Sequence, residues 1–586
     1  TIRGIHFGED DNEPGAPAAA DILNPAAVDT FINLTHDQYY DHLKEYFGTT
    51  IFAFFTDEPS ELGRCAGNFR PWSAGMEDEI RSAGGNLEEL KGLFVSDENK
   101  TVQIYRKLIK KHLRETFYAK LSVWCEKHSI ALMGHPAESD DIEEELYFHI
   151  PGQDLIMRRV SPETGGISEF DSVQAKLSAD IARHLGRRRN ANECFGVCNR
   201  NKIPWYFTAS DMKWYLDWLG IRGVNLYVPH AFYYSVAGKR KDERPPDVGP
   251  NNIWWSHYRK FSDYIKRMSY LMTDSFNEAK VAVLCDNNQV PYRELAVMFE
   301  QQVAFHYLPV TLLKNSHVQD GKLYIGAYQY EVVLNTLNQN WNEFIAKGAD
   351  GSTVQIMAHA ADLIKQEKWH TVKLAQPCKE LRAAKLTKLG TTMYLLSNES
   401  EKVLQTTIHL SEEGTPIIAD LWKNVWYKAE EKQGCIEIKL LPRETRLLIF
   451  SSEDVPESLE ILSEPPKETF LGDWTDRFSL QKKENNRAVY QYDYDLCDKM
   501  VRTGTEIFSV SGEEMVECYC NGTFVDVSFW NPHKFKIGSF LKNGINQIML
   551  VITGNAANIY SREKLANSDT DEVVPYGLTL NHEELT

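Results

Sequence analysis

The chain has 586 residues, 42% of them hydrophobic and 25% charged, and a formal charge of −19. That length is more than one hydrophobic core can serve, so three or four domains are expected. The acidic balance argues against nucleic acid and anionic membrane surfaces as partners, and no apolar run reaches the roughly 20 residues of a membrane span.

In chain order, Thr1 to Asp11 reads as a strand end followed by an acidic loop, and a Pro/Ala/Gly linker runs on to Asp21. Asp29 to Phe47 has helical periodicity, and Ile51 to Phe55 is a buried strand that stops at Asp57-Glu58-Pro59. Leu87 to His128 is mostly helical, with a stripe of Ile104, Leu108, Leu113, Phe117 and Leu121. A strand Ile130 to Met133 ends at Gly134-His135-Pro136, and another is expected over Asp154 to Val160. The helix Ser172 to Leu185 leads into a short strand bearing Glu193, which breaks at Gly196. After the helix Ser210 to Leu219 comes a strand Gly223 to Val228, ending at Pro229-His230, and then a helix from about Trp254 to Thr273.

This alternation predicts parallel strands joined by crossover helices, with polar groups gathered where strands finish. Together they describe a (β/α)8 TIM-type barrel over residues 1–276. Counted back from the last strand, Gly223 to Val228 is the eighth, the Glu193 strand the seventh and the Asp154 strand the sixth. The His135 strand is then the fifth, the Glu58 strand the fourth and Thr1 to Phe7 about the third, so the barrel is expected to lack its first strands.

From residue 277 to 375 the pattern restarts as a small α/β layer of Rossmann-like or flavodoxin-like form. It has strands Lys280 to Cys285 and Tyr330 to Asn335 and a helix Pro291 to His306. No Gly-rich phosphate loop follows its first strand, so a nucleotide site is not expected there. Alternating strands over 376–455 predict a β-sandwich, and a Pro-containing linker precedes a second all-β unit at 470–586.

The chemistry is expected at strand ends, where barrels present catalytic groups. Glu193, flanked by Asn192, suits a general base or nucleophile, and Asn192 a sugar hydroxyl; the alternative for Glu193 is a salt bridge to one of Arg187 to Arg189. Glu58, set among Phe54 and Phe55 with Asp57 beside it, suits a general acid, and the alternative is a helix-capping carboxylate. Two carboxylates on two strand ends are the minimum for cleaving a glycosidic bond. His135, His149, Asp154, Arg158 and His230 lie near other strand ends and are candidates for binding hydroxyls, as are Tyr233, Tyr234, Trp254 and Trp255 for ring stacking. Asp10 and Asp11 could hold hydroxyls or a calcium ion; otherwise no cofactor is expected. The 10 cysteines are scattered without metal-ligand spacing, so reduced thiols in a cytoplasm are the simplest account, with an oligomer allowed.

Asp57-Glu58-Pro59, the stretch Ser178 to Glu193 and the stretch Met212 to His230 resemble α-L-rhamnosidases of glycoside hydrolase family 106 and their bacterial relatives. The tail, with Cys520-Asn521-Gly522, Trp530-Asn531-Pro532 and Leu541 to Asn546, is similar to the galactose-binding-like jelly-roll β-sandwich of family 2 glycosidases. The resemblance implies an inverting glycoside hydrolase acting on a terminal sugar of an oligosaccharide or glycoside. A retaining β-galactosidase-like enzyme and a non-catalytic carbohydrate-binding fragment are the alternatives. The chain departs from the family at Cys194-Phe195-Gly196, where smaller residues are expected.

Overall fold

The computed structural model describes residues 20–579 apart from 63–68, 96–97, 156–157, 168–169, 174, 234, 239–244, 338–340, 342–344, 346, 410–411, 452–459, 497–502 and 562–571. The fold mixes a parallel α/β layer, a second smaller one and several antiparallel sheets. Asp10, Asp11 and the strand expected over Thr1 to Phe7 lie outside the described residues, as do Tyr234 and the run from Lys239 to Arg244.

Five strands form the first sheet: β1 (Ala53–Asp57), β2 (Ala131–His135), β3 (Ile150–Leu155), β4 (Ala191–Cys194) and β5 (Leu226–Pro229). They lie side by side in sequence order and every neighbouring pair is parallel. Helices connect them: Lys100–Leu113 runs on through residues 114–127 between β1 and β2, Lys176–His184 joins β3 to β4, and Ala209–Ile221 joins β4 to β5. The result is half of a barrel wall.

Side chains alternate across such strands, and the two faces have different fates. Ala53, Ala131, Met133, Ile150, Ala191, Leu226 and Val228 pack together on the inner face. Phe54 and Leu132 point outward into the layer formed by residues 100–127, and Leu155, Cys194 and Tyr227 into the layer around Ala209–Ile221. The inner face is apolar along most of its length and becomes ionisable only at the C-terminal strand ends, with Asp57, His135, Asp154 and Glu193.

β3 lies earlier than the expected Asp154 to Val160. Pro151 and Gly152 read as strand breakers in the sequence, yet both are in the strand. A Cβ on Gly152 would sit 2.7 Å from the Gly134 carbonyl oxygen and 3.1 Å from that of Ala191, so close approach of three strands requires glycine there. The shift places Asp154 next to the last residue of its strand, level with Glu193 in register.

The helix Ala209–Ile221 is the hub of the molecule. It is buried on nearly every side although it carries Asp211, Lys213 and Asp217. Its cluster takes in Trp214, Tyr215 and Trp218, then Leu386, Met393, Leu395 and Leu447 of the first sandwich, then Met515, Val527 and Phe529 of the tail. Its buried polar groups are paired: Lys213 with Asp217, Asp217 with the hydroxyls of Tyr264 and Thr445, and the Trp214 indole with the Glu399 carbonyl at 3.1 Å.

The smaller parallel sheet has the order Gln355–Met357, Val332–Leu334, Val281–Cys285, Phe305–Pro309. The helix expected over Pro291 to His306 is confined to Ala296–Glu300, and its last residues enter the strand Phe305–Pro309, whose side chains are all buried. Beyond it come a six-stranded sheet, which includes Leu381–Lys388, Thr391–Asn398 and Thr445–Ser451, and a facing four-stranded one. The tail adds sheets of five and three strands around Trp474, Phe508 and Phe535. Among the described residues no helix is long and apolar enough to cross a membrane.

Candidate active site

Three strand ends meet at one point. Asp57 closes β1, His135 closes β2 directly opposite it in register, and Glu193 lies near the end of β4. The His135 imidazole is hydrogen-bonded through Nε2 to Glu193 Oε2 at 3.1 Å and stands 3.7 Å from Asp57 Oδ1. One ligating atom of each residue lies within 4.8 Å of the other two. The side chains grade outward, His135 being 2% exposed, Glu193 11% and Asp57 45%, so the group opens to solvent on the Asp57 side.

The reach of His135 depends on its neighbour. Gly134 has φ +133°, and a Cβ there would lie 2.0 Å from the Thr56 carbonyl oxygen, so only glycine lets β2 come this close to β1. The Phe55 ring meets His135 edge-on at 5.6 Å and fixes the imidazole from below. Burial alone would discharge this histidine. The hydrogen bond to Glu193 and the charges of Asp154, Glu193 and Asp57 outweigh burial and lift its pKa above the usual histidine range.

Glu58 follows Asp57 at the start of the loop, half-buried, with φ +40°. A residue with a Cβ is costly in that left-handed region, and such backbones cluster at functional sites.

The other expected residues are placed as follows. Asp154 shares the inner face and lies beside Glu193 in register. His230 follows β5, its backbone N–H donating to the Cys194 carbonyl at 2.8 Å. Trp255 is 39% exposed against Phe232 and Tyr258, whereas Trp254 is fully buried in the core. Tyr233 packs edge-on to Trp205 at 5.9 Å, beside Ala556 and Tyr560 of the tail. His149 precedes β3 and accepts from the Leu132 amide at 3.0 Å, at the opposite end of the sheet from Glu193.

Two expectations change. Asn192 is fully buried and has the parity of Cys194, so it faces the helix layer and not the strand-end cluster. Adjacent strand residues point to opposite faces, and no bulge intervenes between Asn192 and Glu193. Arg158 is drawn away by Asp211, 3.2 Å from its Nη1, and by Glu163 at 2.6 Å. Neither joins the cluster. Of the alternative partners for Glu193, Arg188 pairs with Asp274 and Arg189 donates to the Asn225 carbonyl.

What sequence reasoning missed was the bridging position of His135 and the inward direction of Asp57. Counting alternate residues from Ala53 and from Ala131 would have pointed to both. The trio offers two carboxylate oxygens and an imidazole nitrogen, a donor set that suits zinc and related ions better than calcium, which takes oxygens.

No family model matches the chain. A protein of Formosa agariphila named "Putative beta-glucuronidase" is 22% identical over 331 residues, a match spanning 54% of this chain and 27% of that protein. The solved rhamnosidase of Novosphingobium sp. PP1Y superposes with a TM-score of 0.67 at 14% identity, over 96% of this chain and 63% of that one. A β-galactosidase structure from Bacillus circulans sp. alkalophilus gives a TM-score of 0.48 at 11% identity, over 77% of this chain and 86% of that one. The chain thus shares the fold of the rhamnosidase along nearly its whole length while spanning under two thirds of it.

Proposed function

We propose that this protein is a glycoside hydrolase that cleaves a terminal sugar with two carboxylates at the ends of barrel strands. The observation that carries this reading is the convergence of Asp57, His135 and Glu193 at the C-terminal edge of one parallel sheet, open to solvent on one side. Active sites of (β/α)8 barrels lie on that edge, and the rhamnosidase fold supports reading the five parallel strands as part of such a barrel.

The roles follow from charge and distance. Glu193, hydrogen-bonded to the His135 imidazole at 3.1 Å, is the general base or nucleophile. Ligating atoms of Asp57 and Glu193 lie within 4.8 Å of each other, closer than the about 6.5–9.5 Å between the carboxyl groups of an inverting pair. For inversion the acid is assigned to Glu58, the next residue, and Asp57 and Asp154 are assigned to accept hydrogen bonds from sugar hydroxyls. The likeness to a rhamnosidase favours an α-L-rhamnoside as substrate and inversion at the anomeric carbon. No cofactor is required by this scheme, so EDTA is expected to leave the rate unchanged.

The test is hydrolysis of an aryl α-L-rhamnoside by the protein and by Glu58→Gln and Glu193→Gln. Each substitution should lower kcat at least 10³-fold, with circular dichroism and Tm close to those of the parent. Near-normal turnover in either variant would remove that residue from the mechanism, and loss of activity with EDTA would give the Asp57–His135–Glu193 trio to a metal. A parent protein that binds aryl glycosides without hydrolysing any would make the chain a binding module.

A further inference from the structure

Two large aromatic side chains that follow β5 stay in water. Phe232 is 53% exposed and Trp255 39%. They are not scattered singly: their ring centroids are 5.6 Å apart, and Trp255 leans on the half-buried Tyr258 at 5.1 Å. A joined apolar patch at a surface marks a contact still to be made.

Chain reach fixes where this patch lies. Cys194 is opposite Pro229 in register, and the His230 amide donates to the Cys194 carbonyl at 2.8 Å. Phe232 comes three residues after Pro229, so its Cα lies within about 11 Å of the Pro229 Cα. Neighbouring strands add about 4.8 Å. The patch therefore begins at the same C-terminal edge as Glu193 and within about 16 Å of the strand that bears it.

The patch is also braced. Fully buried Asp247 accepts from the backbone amides of Gly249 at 2.7 Å, Asn251 at 3.0 Å and Tyr233 at 3.3 Å, and the Val248 amide donates to the Ala231 carbonyl at 3.2 Å. These bonds hold the chain on both sides of Phe232. Its ring packs against Gly249, where a Cβ would come 2.8 Å from it. Rings fixed before a ligand arrives lose little freedom on binding it.

The rings form a corner and not a plane, with 76° between Phe232 and Trp255 and 36° between Trp255 and Tyr258. A planar aryl leaving group needs one flat face. A pyranose is puckered and turns C–H bonds both downward and outward, and these weakly positive hydrogens match the negative faces of the rings.

We infer that Phe232, Trp255 and Tyr258 are the platform for the sugar ring that leaves, so that the preferred substrate is an oligosaccharide. This rests on the glycoside hydrolase reading and adds to it the class of leaving group.

The test is calorimetric titration of the full chain carrying Glu193→Gln, so that no turnover intrudes. The ligands are α-L-rhamnosyl-(1→6)-D-glucose, methyl α-L-rhamnoside and p-nitrophenyl α-L-rhamnoside. The disaccharide should bind at least about 10-fold more tightly than the methyl glycoside and more tightly than the aryl one. Phe232→Ala and Trp255→Ala should each weaken the disaccharide by at least about 5-fold, with circular dichroism unchanged, and Trp255→Tyr, which keeps a ring, should stay within about 2-fold. Absence of disaccharide binding, a methyl or aryl glycoside bound as tightly, or an advantage left intact in both alanine variants would each overturn the inference. None of these touches the hydrolase reading, which turnover by the parent decides. Ring-dependent disaccharide binding by a parent that hydrolyses nothing would remove that reading and keep the platform.

Discussion

Two clusters of ionisable residues, one at the ends of the parallel strands and one around the start of the helix Ala209–Ile221, differ in their access to water. At the strand ends, Asp57, Asp154 and Glu193 surround one imidazole. In the second, Asp211 contacts three guanidiniums, Arg200 at 2.6 Å, Arg443 at 3.1 Å and Arg158 at 3.2 Å, of which Arg158 also pairs with Glu163 and Arg443 with Glu401. Asp211 is fully buried, and burial opposes its charge. The arginines, Arg200 foremost, outweigh burial and hold its carboxyl far below the usual range. The Asp211 cluster ties the barrel layer to the sandwich through Arg443 and is closed from water at its centre, whereas the strand-end cluster opens to water on the Asp57 side. A group of side chains open on one side can admit a ligand, whereas a saturated buried knot serves cohesion.

Substitutions should separate the two. The largest effect is expected in the contrast between Glu193→Gln and Asp211→Asn. The first should cost at least 10³-fold in kcat, about 4 kcal/mol of barrier, and shift Tm little. The second should remove about 3–5 kcal/mol of stability by breaking the buried ion pairs of Asp211, that with Arg200 foremost, as read from urea unfolding. A Glu193→Gln protein that unfolds as readily as Asp211→Asn would make the strand-end cluster structural as well.

A third buried carboxyl sharpens the comparison from another side. Glu514 accepts from the Asn555 amide at 3.1 Å but has no cation close enough to offset its burial, which pushes its pKa up to about 8 from 4.5. The folded state then binds more protons than the unfolded between those values, so stability is lost as pH rises through this window. Glu514→Gln should abolish that slope and stabilise the protein by on the order of 3 kcal/mol above pH 8, with little change at pH 4. Thermal melts at the two pH values test it, and equal shifts at both would show that Glu514 is not protonated in the fold. The smallest effect is expected at the solvent-exposed Arg188–Asp274 pair, 67% and 52% exposed, where Arg188→Ala should cost under about 0.5 kcal/mol.

The strand-end site was legible in the sequence to a definite depth. A short apolar run ending in Asp57-Glu58-Pro59, and a strand bearing Glu193, are local signals, because alternation and turn chemistry act over a few residues. Asn192 was misjudged because adjacency in sequence means opposite faces in a strand. Arg158 was misjudged because its partner, Asp211, lies 53 positions further on, at the start of a helix. β3 was displaced because Pro151 and Gly152 look like breakers until the strands on either side are known to need a residue without a Cβ.

The alternation of strands and helices over residues 51–273, the switch to β-structure after residue 380 and the acidic strand ends were determined by the chain itself, since each follows from local periodicity. Tertiary structure alone decided that His135 bridges Asp57 and Glu193 and that the helix Ala209–Ile221 is shared by three regions. These depend on distances between residues far apart in sequence, which hydrophobic periodicity does not encode.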